Sequence, residues 1–447
     1  MHSPTLQLDV KSSLLRKIQT RTARIAIVGL GYVGLPLAVQ FAKSGFAVTG
    51  MDVDESKLAR LNAGTSYIQD VESSDLRQFV AAERLTGTSD FSRLREADAI
   101  IVCVPTPLDR SKKPDISYIV AAAENIQASL RPGQIIVLES TTYPGTTDEV
   151  LLPMFEQMGL QIDRDFFLAF SPERVDPGNP TFRTGNIPKL VGGVSADSTE
   201  VATVLYRTVV GRVHSVSSAR TAETAKLLEN TFRSVNIALV NEMAQLCRHL
   251  GIDVWEVVEA AGTKPFGFMK FYPGPGIGGH CIPLDPYYLS WKARLHGYEP
   301  RFIELAEEVN SHMPDYVQSL VGEALNSQRK CVNGADILIL GVAYKPDIDD
   351  YRESPALRLM QKLHRQGARL RYSDPHVPVL PFLVDTESYI LQSQPLDAAS
   401  IAAADLVVVV TDHRAFDWQL VADNAALVVD TRNALAAHRD CCPTFHL

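Results

Sequence analysis

The chain has 447 residues, a length that suggests about three domains, and 46% of them are hydrophobic. Its 52 acidic residues outnumber its 43 basic ones and give a net charge of -9. This balance argues against nucleic acid as a partner, because no basic surplus neutralises phosphates. No apolar run is long enough to span a membrane, and the N-terminus lacks the apolar segment of a secretory signal. The six cysteines form no C-x-x-C pair, which indicates neither a zinc knuckle nor a disulfide framework and predicts a reduced, cytoplasmic protein.

Short apolar runs alternate with helical patterns through the first two hundred residues. Runs that are apolar throughout are typical of parallel strands buried on both faces. The alternation predicts a doubly wound α/β domain over residues 24–213, after an N-terminal extension over residues 1–23. The predicted strands are residues 24–28, 47–51, 99–104, 134–138 and 167–170.

Two long helical patterns, over residues 220–250 and 301–328, dominate the middle of the chain. They predict an all-helical segment over residues 214–328. Apolar stripes on helices between two α/β units favour a dimerisation core, with a plain interdomain linker as the alternative. Strand and helix alternation then returns and predicts a second Rossmann-like α/β domain over residues 329–447. This domain lacks a G-x-G-x-x-G sequence, so we expect it to bind something other than a dinucleotide.

The strongest motif in the first domain is Gly29-x-Gly31-x-x-Gly34, between a predicted strand and a predicted helix. The first glycine permits the tight turn, the second lets the backbone approach a pyrophosphate, and the third lets the helix pack on the strand. Asp52 ends the second predicted strand, where a carboxylate should bind the adenosine ribose hydroxyls. A carboxylate would repel a 2′-phosphate, so the motif predicts NAD rather than NADP.

A second group of polar residues lies on the long helix over residues 220–250. Lys226, Asn230 and Arg233 recur at helical spacing and share one face. A cation and an amide on an otherwise apolar helix can stabilise an oxyanion. The alternative is a solvated face with a Glu229–Arg233 ion pair.

Cys281 ends a loop of glycines and prolines that begins at Tyr272. Pro283 and Pro286 suit the first turn of a following helix, and a helix N-terminus favours the thiolate form of a nearby cysteine. A nucleophilic thiol and a hydride-accepting cofactor suggest that an aldehyde is oxidised while held as a thioester. Asp285, four residues later, would project the same way as the thiol if the helix has begun, and is otherwise a helix cap. His280 could bind a metal with Cys281, but no other ligand cluster supports a metal site.

Several loops that follow predicted strands carry further candidate residues. Residues 139–145 offer hydroxyl groups that could position a water or the nicotinamide. Glu173 in the Ser-Pro-Glu-Arg segment is a candidate base for a hydrolytic water. Arg352 and Arg432 suit diphosphate binding, with ordinary surface arginines as the alternative.

These segments together resemble the nucleotide-sugar 6-dehydrogenase family, which includes the UDP-glucose, UDP-N-acetylhexosamine and GDP-mannose dehydrogenases. The resemblance runs from about residue 24 to residue 432, with the motifs in order. The matching segments are Gly29–Gly34, Ser140-Thr141, Ser171-Pro172-Glu173, Lys226 with Asn230, Gly278-Gly279-His280-Cys281 with Asp285, and Arg352-Glu353-Ser354.

The resemblance implies a four-electron oxidation of a sugar C6 alcohol to a carboxylate with two NAD. The chain is expected to associate through its central helices as a homodimer or a higher homo-oligomer. Cys281 would form a thiohemiacetal and then a thioester, while Lys226 and Asn230 stabilise the oxyanion. Asp285 and Thr141, through water, would transfer protons, and Glu173 would assist hydrolysis. The implied cofactor-binding residues are Gly29, Gly31, Tyr32, Val33, Gly34, Asp52, Lys57, Thr106, Ser140 and Arg352. The implied substrate-binding residues are Arg233, Phe271, Tyr272 and Arg432.

Residues 264–276 and 280–289 are most similar to the bacterial branch of this family that oxidises UDP-N-acetylglucosamine for surface polysaccharide. His280 and Leu284-Asp285 depart from the UDP-glucose pattern. The similarity does not separate N-acetylglucosamine from its C2 or C4 epimers, so UDP-N-acetylmannosamine and UDP-N-acetylgalactosamine stay open as substrates. Two other hypotheses are a two-electron hydroxyacid dehydrogenase in which Cys281 merely packs, and a catalytically silent NAD-dependent binding protein.

Overall fold

The structure, a computed structural model, describes residues 7–447 except 69, 110–111, 176–180, 183, 280–281 and 440. These residues form two compact units. The first unit holds the chain up to residue 229 together with residues 287–298, and the second holds residues 230–286 and 299–447. The two candidate residues His280 and Cys281 lie outside the described residues.

Within its described residues, the first unit is built on one eight-stranded sheet. Its strands are β1 (Arg24–Val28), β2 (Ala47–Met51), β3 (Leu85–Thr88), β4 (Ala99–Val102), β5 (Gln134–Leu138), β6 (Phe166–Phe170), β7 (Lys189–Gly193) and β8 (Val213–Ser215). Their order is β3-β2-β1-β4-β5-β6-β7-β8, in which β6 and β7 run antiparallel and the other neighbours run parallel. The order reverses between β1 and β4, the position at which sheets of this type bind ligands.

Helices cover both faces of this sheet. They are α1 (Gln7–Gln19), α2 (Gly34–Lys43), α3 (Glu55–Asn62), α4 (Ser73–Ala81), α5 (Ser117–Gln127), α6 (Leu152–Glu156) and α7 (Ala196–Arg207). Alternate side chains of β1 enter two separate cores: Ile25 and Ile27 one, Ala26 and Val28 the other. Burial on both faces explains why these strands are apolar throughout, and it confirms the predicted doubly wound architecture.

The second unit combines long helices with a smaller sheet. The central helices are α8 (Ala219–Leu250), which begins in the first unit, α9 (Val254–Ala261), α10 (Asp285–Leu295), whose residues from 287 on belong to the first unit, and α11 (Arg301–Ser327). The strands are β9 (Asp336–Leu340), β10 (Arg369–Ser373), β11 (Val379–Val384), β12 (Glu387–Gln392), β13 (Leu406–Val409), β14 (Val428–Asp430) and β15 (Thr444–His446). The remaining helices are α12 (Pro355–Arg365), α13 (Ala398–Ala402) and α14 (Trp418–Asn424).

The sheet of the second unit has the order β10-β9-β13-β14-β15, with all these neighbours parallel, while β11 and β12 form an antiparallel hairpin. The fold is therefore two Rossmann-like parallel-sheet domains and a central helical segment, as the sequence predicts. The sequence did not predict β3, β7, β8, β15 or the hairpin, because these strands are short, polar, glycine-containing or half-exposed. Within the described residues, no helix is both long enough and apolar enough to cross a membrane.

The N-terminal extension contains helix α1, which packs on the first unit. Leu14 and Ile18 are buried in the same core as β1 and α2. Lys11 Nζ pairs with Asp197 Oδ1 of α7 at 2.7 Å. This segment lies ahead of the glycine-rich turn and contributes a packed face to the unit.

We expect Leu14→Ala to lower the free energy of unfolding by about 2–4 kcal/mol, because it leaves a cavity in a closed core. The exposed neighbour Ser12→Ala should change stability by less than about 0.5 kcal/mol. Urea unfolding followed by fluorescence measures both values. Equal stability of the two variants would show that α1 does not contribute to the core.

Candidate active site

The glycine-rich turn after β1 forms a cradle. The backbone is crowded by neighbouring atoms at Gly29 and Gly34 and open at Gly31. Gly29 has φ +92°, and a Cβ there would lie 2.6 Å from the carbonyl oxygen of Cys103. A Cβ on Gly34 would lie 1.8 Å from the carbonyl oxygen of Gly29, which requires the helix and strand to meet without a side chain. Around Gly31 no described atom lies within 4 Å of the Cβ position. This open position fits a pyrophosphate that approaches the backbone.

Asp52 connects the turn to the end of β2. Its Oδ2 atom accepts the N–H of Leu30 at 2.8 Å, and Lys57 Nζ lies 3.3 Å away from the same oxygen. Its Oδ1 atom accepts the N–H of Asp54 at 3.0 Å. Three donors occupy three of the roughly four lone-pair positions of a carboxylate, so one position remains for a ribose hydroxyl. Asp52 thus braces the turn and keeps room for the predicted contact.

The other candidate cofactor residues of the first unit lie in the turn or at neighbouring strand ends. Tyr32, which is 48% exposed, and Val33 belong to the turn that leads into α2. Thr106 follows β4, and its carbonyl oxygen accepts a hydrogen bond from the Tyr288 hydroxyl. Ser140 follows β5 and donates its hydroxyl to the carbonyl oxygen of a residue after β4 at 2.8 Å. All these positions lie at the carboxyl ends of the strands.

The second sheet repeats the geometry of this turn without the G-x-G-x-x-G sequence. Gly341, at the end of β9, has φ +79°. Its N–H donates to the carbonyl of Ser373 at 2.9 Å, as the N–H of Gly29 donates to that of Met51 at 2.7 Å. Asp374 follows β10 and accepts the N–H of the residue after the glycine at 2.7 Å.

Asp374 differs from Asp52 in the number of donors that it already accepts. Its Oδ2 atom accepts the N–H groups of Val342 and Ala343 at 2.7 and 3.0 Å, and His413 Nε2 lies at 3.0 Å. Its Oδ1 atom accepts two further backbone N–H groups. Five donors exceed the roughly four positions of a carboxylate, so this oxygen pair has no room for ribose hydroxyls. The second turn is therefore unsuited to the ribose contact that we expect at the first.

Lys226 lies in the first-unit part of α8 and is buried, with 8% exposure. Its ammonium has no hydrogen bond or ion pair among the residues that the structure describes. Three residues earlier, Glu223 accepts the N–H groups of Gly145 and Thr147 at 2.6 and 3.0 Å and so ties the loop after β5 to this helix. A buried cation without a partner is costly, and an anionic ligand or transition state would stabilise it.

Thr141 lies in the loop that Glu223 holds. The Thr141 side chain is half-buried, and its hydroxyl makes no hydrogen bond within the described part of the chain. The adjacent Thr142 hydroxyl is instead paired with that of Thr146 at 2.6 Å. Of these hydroxyls, that of Thr141 is available to a water or a substrate.

Glu173 follows β6 and is held by backbone and side-chain donors. Its Oε1 atom accepts the N–H groups of Arg174 and Val175 at 2.7 and 2.8 Å. Its Oε2 atom lies 3.1 Å from Lys189 Nζ. Arg174 pairs with Glu229 at 2.6 Å, which anchors this loop to α8 and replaces the Glu229–Arg233 pair considered from the sequence.

In the second unit, Asn230 and Asp285 contact each other directly. Asn230 Nδ2 donates to Asp285 Oδ2 at 2.5 Å, and Asp285 is buried. Helix α10 begins at Asp285, so Pro286 lies in its first turn whereas Pro283 precedes it. Residues 282–284 form a turn ahead of this helix, and Cys281 lies outside the described residues, so the idea that Cys281 and Asp285 project together stays a prediction. Asp285 occupies the first turn, where a carboxylate also complements the helix N-terminus.

The loop that leads to residue 280 packs against the carboxyl edge of the second sheet. A Cβ on Gly274 would lie 2.6 Å from Nη1 of Arg432, and one on Gly278 would lie 2.7 Å from the Tyr344 side chain. The N–H of Gly274 also donates to Asn241 Oδ1 at 2.9 Å. The glycines of this loop therefore permit close approach between the loop and the residues that follow β9 and β14.

Arg432 is a charged group at the end of β14 with free donors. Its Nε donates to the carbonyl oxygen of Val410 at 2.8 Å, but its terminal amines make no hydrogen bond among the described residues. Burial lowers the pKa of Arg432, while Asp412 and Asp430 act in the opposite direction. Two unused guanidinium amines beside a glycine loop suit a phosphate.

The remaining candidates of the second unit have more ordinary environments. The Arg352 guanidinium is paired with Asp350, at 2.9 and 2.7 Å. Tyr272 stacks on the Trp255 ring at 5.8 Å between centroids. Phe271 meets another ring edge-on, and Arg233 is exposed.

Three residues around Glu173 were not predicted from the sequence. Glu139, Lys189 and Tyr206 are buried and bonded to one another. The one available signal was a lysine that directly precedes the apolar segment Leu190-Val191, because charges are rare inside a strand. Their mutual contact depends on the tertiary structure.

Comparison with known proteins identifies the family. The chain matches the three domain models of the UDP-glucose/GDP-mannose dehydrogenase family: the NAD-binding domain over residues 23–210, the central domain over 220–312 and the UDP-binding domain over 338–437. The UDP-N-acetyl-D-glucosamine 6-dehydrogenase of Pseudomonas aeruginosa is 39% identical over 356 residues, which are 79% of this chain and 83% of that protein.

Two solved structures carry other sugar names. The structure of UDP-D-ManNAc dehydrogenase from Pyrococcus horikoshii has a TM-score of 0.86 and 33% identity, covering 95% of this chain and 98% of that one. The NDP-N-acetyl-D-galactosaminuronic acid dehydrogenase from Methanosarcina mazei Go1 has a TM-score of 0.78 and 29% identity, covering 98% and 97%. With three matched domains and an open glycine cradle, the chain belongs to the UDP-glucose/GDP-mannose dehydrogenase family, and its cofactor is NAD.

Proposed function

We propose that this protein oxidises the C6 alcohol of UDP-N-acetylglucosamine to the uronate, in four electrons, for surface polysaccharide such as O-antigen or capsule. The observation that carries the chemistry is the buried, unpartnered ammonium of Lys226. The similarity to the Pseudomonas aeruginosa enzyme supports the substrate. The close structural likeness to the Pyrococcus horikoshii enzyme supports a second candidate, UDP-N-acetylmannosamine.

Two NAD molecules, when bound, would each accept one of the two hydrides that the alcohol loses on its way to the acid. The glycine cradle would bind its pyrophosphate, and Asp52 would accept a ribose hydroxyl at its remaining position. The same strand ends are bordered by Ser140, Thr106, Tyr32, Val33 and Lys57, which we also assign to the cofactor. We assign Arg352 of the second unit to the cofactor as well. The alcohol also gains one oxygen from water and releases three protons for each carboxylate formed.

The chain supplies the nucleophile and the groups that move protons. Cys281 adds to the C6 aldehyde as a thiohemiacetal, which loses hydride and a proton to become a thioester. Lys226 stabilises the oxyanion, assisted by Asn230, whose amide is oriented by Asp285. Asp285 and a water on the Thr141 hydroxyl transfer protons. Glu173 activates the water that hydrolyses the thioester.

The nucleotide end of the substrate is assigned to the second unit. The unused amines of Arg432 bind the diphosphate, and the loop with Phe271 and Tyr272 borders it. Arg233 is exposed on α8 and is assigned to the substrate on its sequence position. The diphosphate is thus assigned to the strand ends of the second sheet. The turn of that sheet is not assigned to a ribose, because the Asp374 carboxylate has no room for ribose hydroxyls.

We further propose that two chains associate through the central helices. In the second unit, α8 exposes Phe232, Leu239, Leu246 and Leu250, at 48%, 57%, 47% and 62%. These spacings of seven, seven and four residues align the side chains in one stripe along the helix. Because a self-complementary stripe of this kind suits a twofold interface, a second copy of this chain is the occupant that we propose.

The number of NADH molecules formed per sugar tests the reaction. We expect two per UDP-N-acetylglucosamine, and little reaction with UDP-glucose or GDP-mannose. Cys281→Ser should abolish uronate formation, whereas the exposed Cys331→Ser should not change it. A faster reaction with UDP-N-acetylmannosamine or UDP-N-acetylgalactosamine would transfer the assignment to that epimer. One NADH per sugar would support the two-electron dehydrogenase, and saturable NAD binding without turnover would support a binding protein.

Lys226→Met should separate activity from stability. We expect kcat to fall about 100- to 1,000-fold, as for other lost oxyanion donors. The free energy of unfolding in urea should not fall. The Lys226 ammonium has no partner among the described residues, and burying a thioether costs less desolvation free energy than burying an ammonium. A variant that is much less stable would show that Lys226 has a structural role.

Leu239→Glu with Leu246→Glu should reduce the solution mass to the 49.1 kDa of one chain, because four buried charges would face each other across the interface. Light scattering after size exclusion measures the mass. Met158→Glu, at another exposed apolar position in the first unit, is the matched control and should leave the mass unchanged. An unchanged oligomer in the double variant would place the interface elsewhere.

A further inference from the structure

A cluster of three buried side chains and the half-buried Glu173 lies at the carboxyl ends of β5 and β6. Lys189 Nζ lies 2.7 Å from Glu139 Oε2 and 3.1 Å from Glu173 Oε2. The Tyr206 hydroxyl donates to the other oxygen of Glu139. One ammonium thus joins two carboxylates inside the first unit.

The two carboxylates are not equivalent. The Glu139 side chain is completely buried, whereas the Glu173 side chain keeps 15% exposure. Backbone N–H groups of Arg174 and Val175 hold the Oε1 atom of Glu173, and Lys189 holds its Oε2 atom from the buried side. The orientation of Glu173 is therefore fixed, while its side chain stays partly exposed.

The charges around the cluster also distinguish the two groups. Burial raises the pKa of Glu139, despite the nearby Lys189. Burial acts in the same direction on Glu173, but Lys189 and the two N–H groups outweigh it and lower its pKa. The other titratable groups that face the cluster are Cys103 and Tyr206, and burial raises the pKa of both, so they stay neutral. The surroundings thus favour the ionised form of Glu173 more than that of Glu139.

A purely structural role for Lys189 is a poor explanation of this arrangement. A buried ion pair is often no more stabilising than apolar side chains of similar volume, and Lys189 directly precedes the apolar Leu190 and Val191. An apolar residue would continue that core at lower desolvation cost. The charge is better explained by what it does for the partly exposed Glu173.

We propose that Lys189 is the positioning residue for thioester hydrolysis, because it holds Glu173 ionised and oriented toward the water that attacks. The inference rests on the function proposed above. In that step, the water oxygen bonds to the thioester carbon, the carbon–sulfur bond breaks, and the sulfur of Cys281 leaves as thiolate. Glu173 takes the proton from the water and passes it to solvent. Lys189 does not contact the substrate in this account.

The test uses a pair of variants with a balanced charge. Lys189→Met with Glu139→Gln removes the ammonium together with the carboxyl group of Glu139. Of the carboxyl groups that contacted Lys189, only that of Glu173 then remains. The control, Glu139→Gln alone, keeps the Lys189–Glu173 contact. The measurements are the pH profile of uronate formation and the mass of the Cys281 peptide during turnover.

In the double variant, the pKa of Glu173 should rise. On acidification, Glu173 then becomes protonated, and stops acting as a base, at a higher pH than in the wild type. We expect the acid limb of the hydrolytic step to move up by at least about one pH unit, or about tenfold in rate below it. The acyl-enzyme should accumulate after both NADH have formed at the normal rate, because the thioester arises only with the second hydride transfer. The control should keep the wild-type profile and show no accumulation.

A double variant with the wild-type pH profile and no acyl-enzyme would overturn the role of Lys189. A wild-type protein that makes one NADH per sugar and no uronate would instead refute the proposed function, and this inference with it. Lys189→Met alone would leave two carboxyl groups without their cation and could fail to fold for that reason. The double variant is therefore the one that tests the role of Lys189.

Discussion

Burial of the parallel strands on both faces is the constraint on which the rest of the molecule depends. Side chains along β1 enter one core or the other, so the middle of the strand cannot carry charge. Polar groups are consequently confined to strand ends and to the loops that follow them. Asp52, Ser140 and Glu173 in the first sheet, and Arg432 in the second, all occupy such positions. These candidate residues lie at the carboxyl edges of the sheets because the core excludes polar groups from the strand interiors.

The two sheets show how one turn geometry can serve different purposes. Gly29 and Gly341 have the same kind of left-handed turn, and each is tied to a carboxylate at the next strand end. The difference lies in the number of donors: Asp52 accepts three, while Asp374 accepts five. Saturation by the protein's own donors, rather than loss of the fold, makes the second turn unsuited to a ribose. At another strand end of the same sheet, the terminal amines of Arg432 are not used by the described residues.

Two buried lysines of the first unit illustrate opposite uses of charge. Lys189 is surrounded by carboxylates and sets the ionisation of a neighbour. Lys226 has no partner among the described residues, so its charge is available to a ligand. Position on the fold explains the difference: Lys189 begins an internal strand, and Lys226 lies on the helix to which the loops after β5 and β6 are tied.

The sequence by itself determined the class of fold, the glycine turn and the order of the motifs, because apolar periodicity and glycine placement act locally. Strands such as Arg24–Val28 were predictable since burial on both faces leaves a continuous apolar run. Only the tertiary structure decided where α10 begins, which carboxylate Asn230 contacts, and that Glu139, Lys189 and Tyr206 meet around Glu173. These contacts join residues that are far apart in the chain, and the pairing of buried charges is set by three-dimensional packing rather than by local pattern. The tertiary structure also decided how many donors Asp52 and Asp374 accept, because this number depends on which backbone N–H groups the fold brings within reach.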